Sequence, residues 1–241
     1  MRSNPDGRTW SIGRLLLATH LPFLMLMWLV FAAAVLVLTI GIAIRGTITS
    51  SVWEPAVTIL RWFALGYGLF VINRLLPVYI AHGRTRLEFL RSITLFIVVA
   101  GAVLAALLTL GFALEGMLYR LMDWPHQVSA RLLFTSPSQY PLIFLAHWAM
   151  LLVWTTIGAF LAAGFYRSGG WELVVLALGL ALVVVTGFAI GFSGLPFVGA
   201  VVDVAEVPLA ATLALCAAGF LPGLAMTWAL VRDIPVRNKT T

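Results

Sequence analysis

The chain has 241 residues, 62% of them hydrophobic and 10% charged, with a formal net charge of +6 at pH 7. At a mean hydropathy of +1.04, no soluble domain hides this much apolar surface, so the composition excludes one and points to a polytopic membrane protein. The basic residues sit at the ends of apolar runs rather than in one stripe, which argues against a nucleic-acid face and for orientation in a bilayer.

The apolar runs are long and unbroken rather than alternating every second residue. Helices satisfy their backbone in lipid with that pattern, so the expected fold class is all-α. Residues 1–20 start polar and become mixed, with Trp10, Ile12, Leu15 and Leu16 on a rough face opposite Arg8 and Arg14. This pattern predicts an amphipathic surface helix over residues 8–20, with a break at Pro22; the alternative is that these residues extend the first span. That span, residues 21–44, is too long for a signal-peptide core of about 7 to 15 residues and is read as retained.

Further spans are expected at residues 56–80, 93–114, 141–165, 171–192 and 208–231, which makes six transmembrane helices. The run at 193–207 is too short to cross, is broken by Pro196 and Gly199, and carries Asp203 and Glu206. It reads as a re-entrant or interfacial segment before the last span. Alternate connections hold ten and three of the lysines and arginines, with Arg61 and Arg74 left inside the second span. The positive-inside rule then places both termini in the cytoplasm, together with the polar stretch His82 to Arg91.

In that stretch, Gly83 ends an apolar run and Thr85-Arg86-Leu87-Glu88 has the spacing of a capping box, in which a threonine hydroxyl and a glutamate carboxylate satisfy the first N–H groups of a helix. A helix is expected to start near Thr85 and to run into the third span. Its first turns, with Arg84, Arg86 and Arg91 beside Leu87, Phe89 and Leu90, make a basic and partly apolar surface suited to docking another protein. Its bland reading is a solvated, positive-inside anchor.

Arg61, Asn73 and Arg74 are costly inside a membrane and usually face a cavity or the bundle interior. Both arginines are near enough to a span end to snorkel, so that reading stands beside a polar translocation or subunit surface. Gly187-x-x-x-Gly191 and Gly219-x-x-x-Gly223 allow close helix contact. Lone Cys216 excludes an intramolecular disulfide and a cysteine-based metal site.

The catalytic motifs are weak. A P-loop needs Gly-Lys-Ser/Thr, and the one lysine is Lys239 in the tail, so any ATP is bound by another chain. Gly191-Phe192-Ser193-Gly194 has the serine motif of rhomboid proteases, but all four histidines precede Ser193, against that family's order. Only His147 is deep inside a span, which is not enough for a facing pair of haem ligands. No paired carboxylate or histidine cluster supports a lipid-metabolising enzyme.

The layout resembles the membrane subunit of type-2 (type V) ABC exporters, particularly small actinobacterial permeases. Locally, Gly83-Arg84-Thr85-Arg86-Leu87-Glu88-Phe89-Leu90 is similar to their Gly-x-Thr-Arg-x-x-Phe pattern after the second span, and Glu115 is similarly placed just after the third. The resemblance implies that Gly83, Arg84, Thr85, Arg86, Leu87, Glu88 and Phe89 form a coupling helix that docks a separate ATPase subunit. It implies two such ATPase subunits holding ATP and Mg, a second permease chain as homodimer or heterodimer, and a bacterial plasma membrane location. Arg61, Asn73, Arg74 and Glu115 would lie on a translocation path or subunit contact. The other class of function is a non-transport membrane scaffold that holds a cytoplasmic partner through residues 82–91.

Overall fold

The computed structural model describes residues 5–128, 134–167, 170, 172–190 and 208–232, and every regular element among them is helical. Helix α1 is Pro5–Arg45 and α2 is Trp53–Phe70, followed by a π-helical turn Val71–Leu75 and the short α3, Leu76–Ala81. Then come α4, Arg86–Leu121; α5, Tyr140–Arg167; α6, Glu172–Ile190; and α7, Leu209–Val231. Five stretches are long and apolar enough to cross a membrane: Leu16–Arg45, Trp53–Ala81, Arg86–Leu121, Tyr140–Arg167 and Leu209–Val231. The chain is a helical membrane protein. The segment 193–207, the Gly191 to Gly194 motif, the tail with Lys239 and the N-terminal face side chains up to residue 15 lie outside what is described, while Leu16, expected on that face, is buried in the core.

Three boundaries differ from expectation. α1 runs through Pro22 as one helix, so the expected break there is absent. A proline removes one N–H bond, and neighbouring turns of a long apolar helix can hold across the gap. α4 continues to Leu121, so Glu115 is within a helix rather than in the connection after it. At about 1.5 Å per residue its 36 residues reach about 54 Å, well beyond a hydrocarbon core of about 30 Å. The second span, third, is not uniformly α-helical. Pro77 crowds the carbonyl four residues before it and cannot donate, and the π-helical turn immediately precedes it, centred on Asn73.

α5 is the central helix, packed on α2, α4, α6 and α7. Its stretch from Met150 to Gly164 is buried on almost every side, which is why it reads as apolar all round rather than amphipathic. Around it the core forms two clusters stacked along the bundle. One joins Leu16, Leu24, Val71, Leu76, Phe89 and Val231 near the arginine-rich end; the other joins Trp28, Val52, Trp53, Phe112, Ile143 and Trp154 towards the opposite end.

The closest helix crossing is between α2 and α5. A Cβ on Gly68 would fall 2.0 Å from the Thr155 carbonyl oxygen, and one on Gly158 would fall 2.0 Å from that of Leu65. Backbone meets backbone here, and no side chain fits between. α7 sets Gly219 and Gly223 against side chains instead, with a Cβ on either falling 2.9 Å from the methyl of Thr186 and Thr156 respectively. Gly158→Leu is expected to cost on the order of 3 kcal/mol or more by overpacking, seen as loss of monodisperse protein or a lower thermal midpoint in detergent. Gly66→Ala, whose added carbon meets nothing within 4 Å, is expected to leave that midpoint unchanged; equal effects would remove the crossing from its central role.

Candidate functional site

The turn between α3 and α4 is built entirely by local hydrogen bonds. Gly83 takes φ +71, a left-handed conformation that costs a residue without Cβ little. Its N–H donates to the Ile80 carbonyl at 2.9 Å and that of Arg84 to Tyr79 at 3.1 Å, the double closure of a Schellman motif. Thr85 then caps α4: the Glu88 N–H donates to its hydroxyl at 3.2 Å, and its own N–H donates to the Glu88 carboxylate at 3.1 Å. The expected capping box is therefore present, and α4 starts at Arg86. Two complementary end caps leave almost no slack between the helices.

The side chains of this turn divide into two groups. Phe89 is 0% exposed and packs edge-on against Tyr79 with ring centroids 5.1 Å apart, so it anchors the turn from inside rather than offering a surface contact. Leu87, 42% exposed, is the large apolar side chain that faces out. Gly83, Thr85 and Arg91 are exposed too, while Arg84, Arg86 and Glu88 are half-buried. The Arg86 guanidinium donates to the Arg232 carbonyl, tying the start of α4 to the end of α7.

Glu115, near the other end of α4, gathers four hydrogen-bond partners on its carboxylate. One carboxylate oxygen accepts the N–H groups of Val52 at 2.8 Å and Trp53 at 2.9 Å, the first donors of α2. The other accepts the Ser51 hydroxyl at 2.6 Å and faces the His126 Nε2 at 3.0 Å. A helix N-terminus leaves such N–H groups without intrahelical acceptors and favours negative charge. Glu115 thus caps α2 from a different helix. The Tyr119 hydroxyl donates to the Ser50 carbonyl at 3.2 Å, and the Ser51 N–H donates to the Gln127 carbonyl at 2.8 Å, closing both connections over the same carboxylate. Four donors fill the carboxylate's lone pairs, so it serves as a staple and is poorly placed as a proton-transfer base.

The other intramembrane polar residues separate. Arg61 is 1% exposed with its guanidinium over the Trp154 ring, 5.4 Å from the centroid, which places it in the bundle interior and removes the snorkelling reading for it. Asn73 and Arg74, on the π-helical turn, are exposed on the outside of the bundle. The structure therefore does not gather Arg61, Asn73, Arg74 and Glu115 into one path. His147 is buried, with its Nδ1 2.6 Å from the Ile143 carbonyl one turn earlier and Phe112 and Phe134 beside its ring.

Sequence spacing showed the capping box but missed the Glu115 staple, three of whose four partners lie 62 to 64 residues earlier. Ser51 followed by the start of an apolar run was the available signal. Glu115→Ala is expected to destabilise the protein by about 3 kcal/mol and Ser51→Ala by about 1 kcal/mol, since hydrogen bonds to charged groups are the stronger ones. In the Glu115→Ala background the Ser51 change should cost almost nothing. Denaturation in mixed micelles measures all three, and a neutral Glu115→Ala would refute the staple. Compared with known protein families, curated proteins and solved structures, the chain matches none.

Proposed function

We propose that this chain is the permease subunit of an ATP-driven exporter of the type-2 (type V) class, moving an amphiphilic substrate such as a drug, peptide or lipid out of the cell. The observation that supports it most is the doubly capped turn at Gly83 to Glu88, joined without interruption to a helix of 36 residues. A partner pressing on Leu87 and Arg91 would move α4 as a rod instead of bending a loop. In this reading the turn is the coupling helix and docks a separate ATPase subunit, which holds ATP and Mg. Two permease chains, identical or related, and two ATPase chains make the working unit.

The arrangement in a bacterial plasma membrane has both termini and the turn in the cytoplasm. The apolar α6, Glu172–Ile190, is then the fifth of six spans, and residues 193–207 form the short re-entrant outer segment before the sixth. The π-helical turn that carries Arg74 is a point at which the second span can yield while α4 moves, since it interrupts the regular α-helical hydrogen-bond ladder and such turns are frequent at functional sites.

Mild-detergent affinity purification from native cells tests the docking. Because Phe89 is internal, the informative variant is Leu87→Asp/Arg91→Glu, which changes exposed side chains only. An ATP-binding subunit is expected to come down with the wild type and to be reduced at least about tenfold with the variant, the effect of losing ~1.4 kcal/mol or more at the contact. If the variant folds and neither form retains an ATPase even after cross-linking, the exporter reading fails; the scaffold reading is then tested on whatever the loop does hold.

A further inference from the structure

On the outer face of the second span, Asn73 and Arg74 are both exposed, while Val71 and Ile72 just before them are buried. They lie six and seven residues past the midpoint of Trp53–Ala81, which is about 9 and 10 Å towards the Gly83 turn at ~1.5 Å per residue. With the span centred in a hydrocarbon core of about 30 Å, both Cα atoms are about 5 Å inside its boundary and face acyl chains.

The chain itself provides for neither side chain. Among the described residues no hydrogen bond or ion pair reaches the Asn73 amide or the Arg74 guanidinium. The carboxylate nearest along the chain, Glu88, is engaged with Thr85 in the capping box. Arg74 has a stem long enough to lift its charge to the interface, but the Asn73 amide is too short to follow. Left unpaired in lipid, each is costly. Away from the turn the same face becomes an apolar lane: Phe70 and Trp62 are 41% and 46% exposed, and a Cβ on Gly66 between them would meet nothing within 4 Å.

We propose that this face binds one anionic phospholipid, with its phosphate on the Arg74 guanidinium, an ester carbonyl accepting from the Asn73 amide, and an acyl chain along Phe70, Gly66 and Trp62. The order of the groups fits a phospholipid. Its ester oxygens lie at the hydrocarbon boundary and its phosphate just outside, which matches a short polar side chain beside a long cationic one. Charge decides against a second copy of this chain on the same face, because a twofold axis along the membrane normal would set Arg74 against Arg74 at one depth. Charge also favours a headgroup with no cationic part, since Arg84 and Arg91 stand at the same end of the bundle, in the turn and first helix that follow this span. The site is read on this chain alone and does not rest on the exporter reading.

The test uses the full chain in maltoside micelles, with no ATPase present, and a phosphatidylglycerol probe bearing a diazirine and an alkyne on one acyl chain. The probe is expected to label peptides between Trp62 and Arg74 saturably, with unlabelled phosphatidylglycerol competing at least about tenfold better than phosphatidylcholine of the same chains. Arg74→Gln should weaken binding about tenfold and Asn73→Leu about threefold, while Arg45→Gln, an exposed arginine at the opposite end of the bundle, should leave it within about twofold. All three changes are on exposed side chains, so the variants are expected to stay monodisperse. The proposal is overturned if labelling is not saturable, if phosphatidylcholine competes equally well, if Arg74→Gln and Arg45→Gln cause equal losses, or if pairs of chains cross-linked through α2 are recovered in place of labelled lipid.

Discussion

The contact on which the bundle depends is the crossing of α2 and α5 at Gly68 and Gly158, where each backbone occupies the space a Cβ would need on the other. Two apolar helices in lipid gain little by touching, because the acyl chains they displace are as apolar as their own side chains. What remains is packing, and packing is strongest where backbones approach most closely. α5 exploits this along its length, with Gly158, Ala159, Ala162, Ala163 and Gly164 all buried. The large residues are placed between these contacts: Trp154 lies under Arg61, and Trp53 fills the space left by Gly111, where a Cβ would sit 2.0 Å from its ring. Small residues set the spacing and aromatic ones fill what the spacing leaves.

Polar residues in the membrane do a second job, which magnitudes help to separate from the first. A charged side chain within a membrane-spanning helix is costly, so it persists where it returns something comparable. Glu115 does so by accepting the first N–H groups of α2, the Ser51 hydroxyl and His126 together. Without it, several donors would be left at a buried helix end, each an unmet desolvation cost of ~1 to 3 kcal/mol. Arg61 is accommodated differently, by the face of Trp154, an interaction whose strength rises with desolvation. Neither residue needs to line a substrate path to account for its presence.

What was legible in the sequence was local. The Thr85 capping box, the Gly83 terminator and the helical class all rest on residues within one or two turns of each other, and the fold contains them. The illegible features depend on neighbours distant in sequence or on competition between rules. Glu115 looked like a loop residue because a charge usually ends an apolar run, yet its acceptor capacity was used by residues more than sixty positions earlier. Phe89 looked like part of a docking surface because it sits among arginines, but helical phase turns it towards Tyr79. Pro22 and Pro77 show the competition directly. The same missing N–H leaves α1 continuous in one case and is preceded by a π-helical turn in the other.

These elements give the α2 to α4 hairpin a definite mechanical character. At the arginine-rich end, two caps and the buried Phe89 fix α3 to α4; at the far end, Glu115 fixes α4 to the start of α2. Both ends of the hairpin are therefore pinned, and α2 is additionally locked to α5 at Gly68. The stretch between Gly68 and the turn contains the π-helical segment Val71–Leu75, with Asn73 and Arg74 facing away from the bundle. Displacement of the turn would be absorbed there first, because α4 is continuous and the α2–α5 crossing has no spare volume. A load applied at Leu87 would then travel along α4 to the Glu115 staple. In the proposed exporter, the docking turn and the start of α2 are thus joined by one rigid element, and no separate relay between them is required.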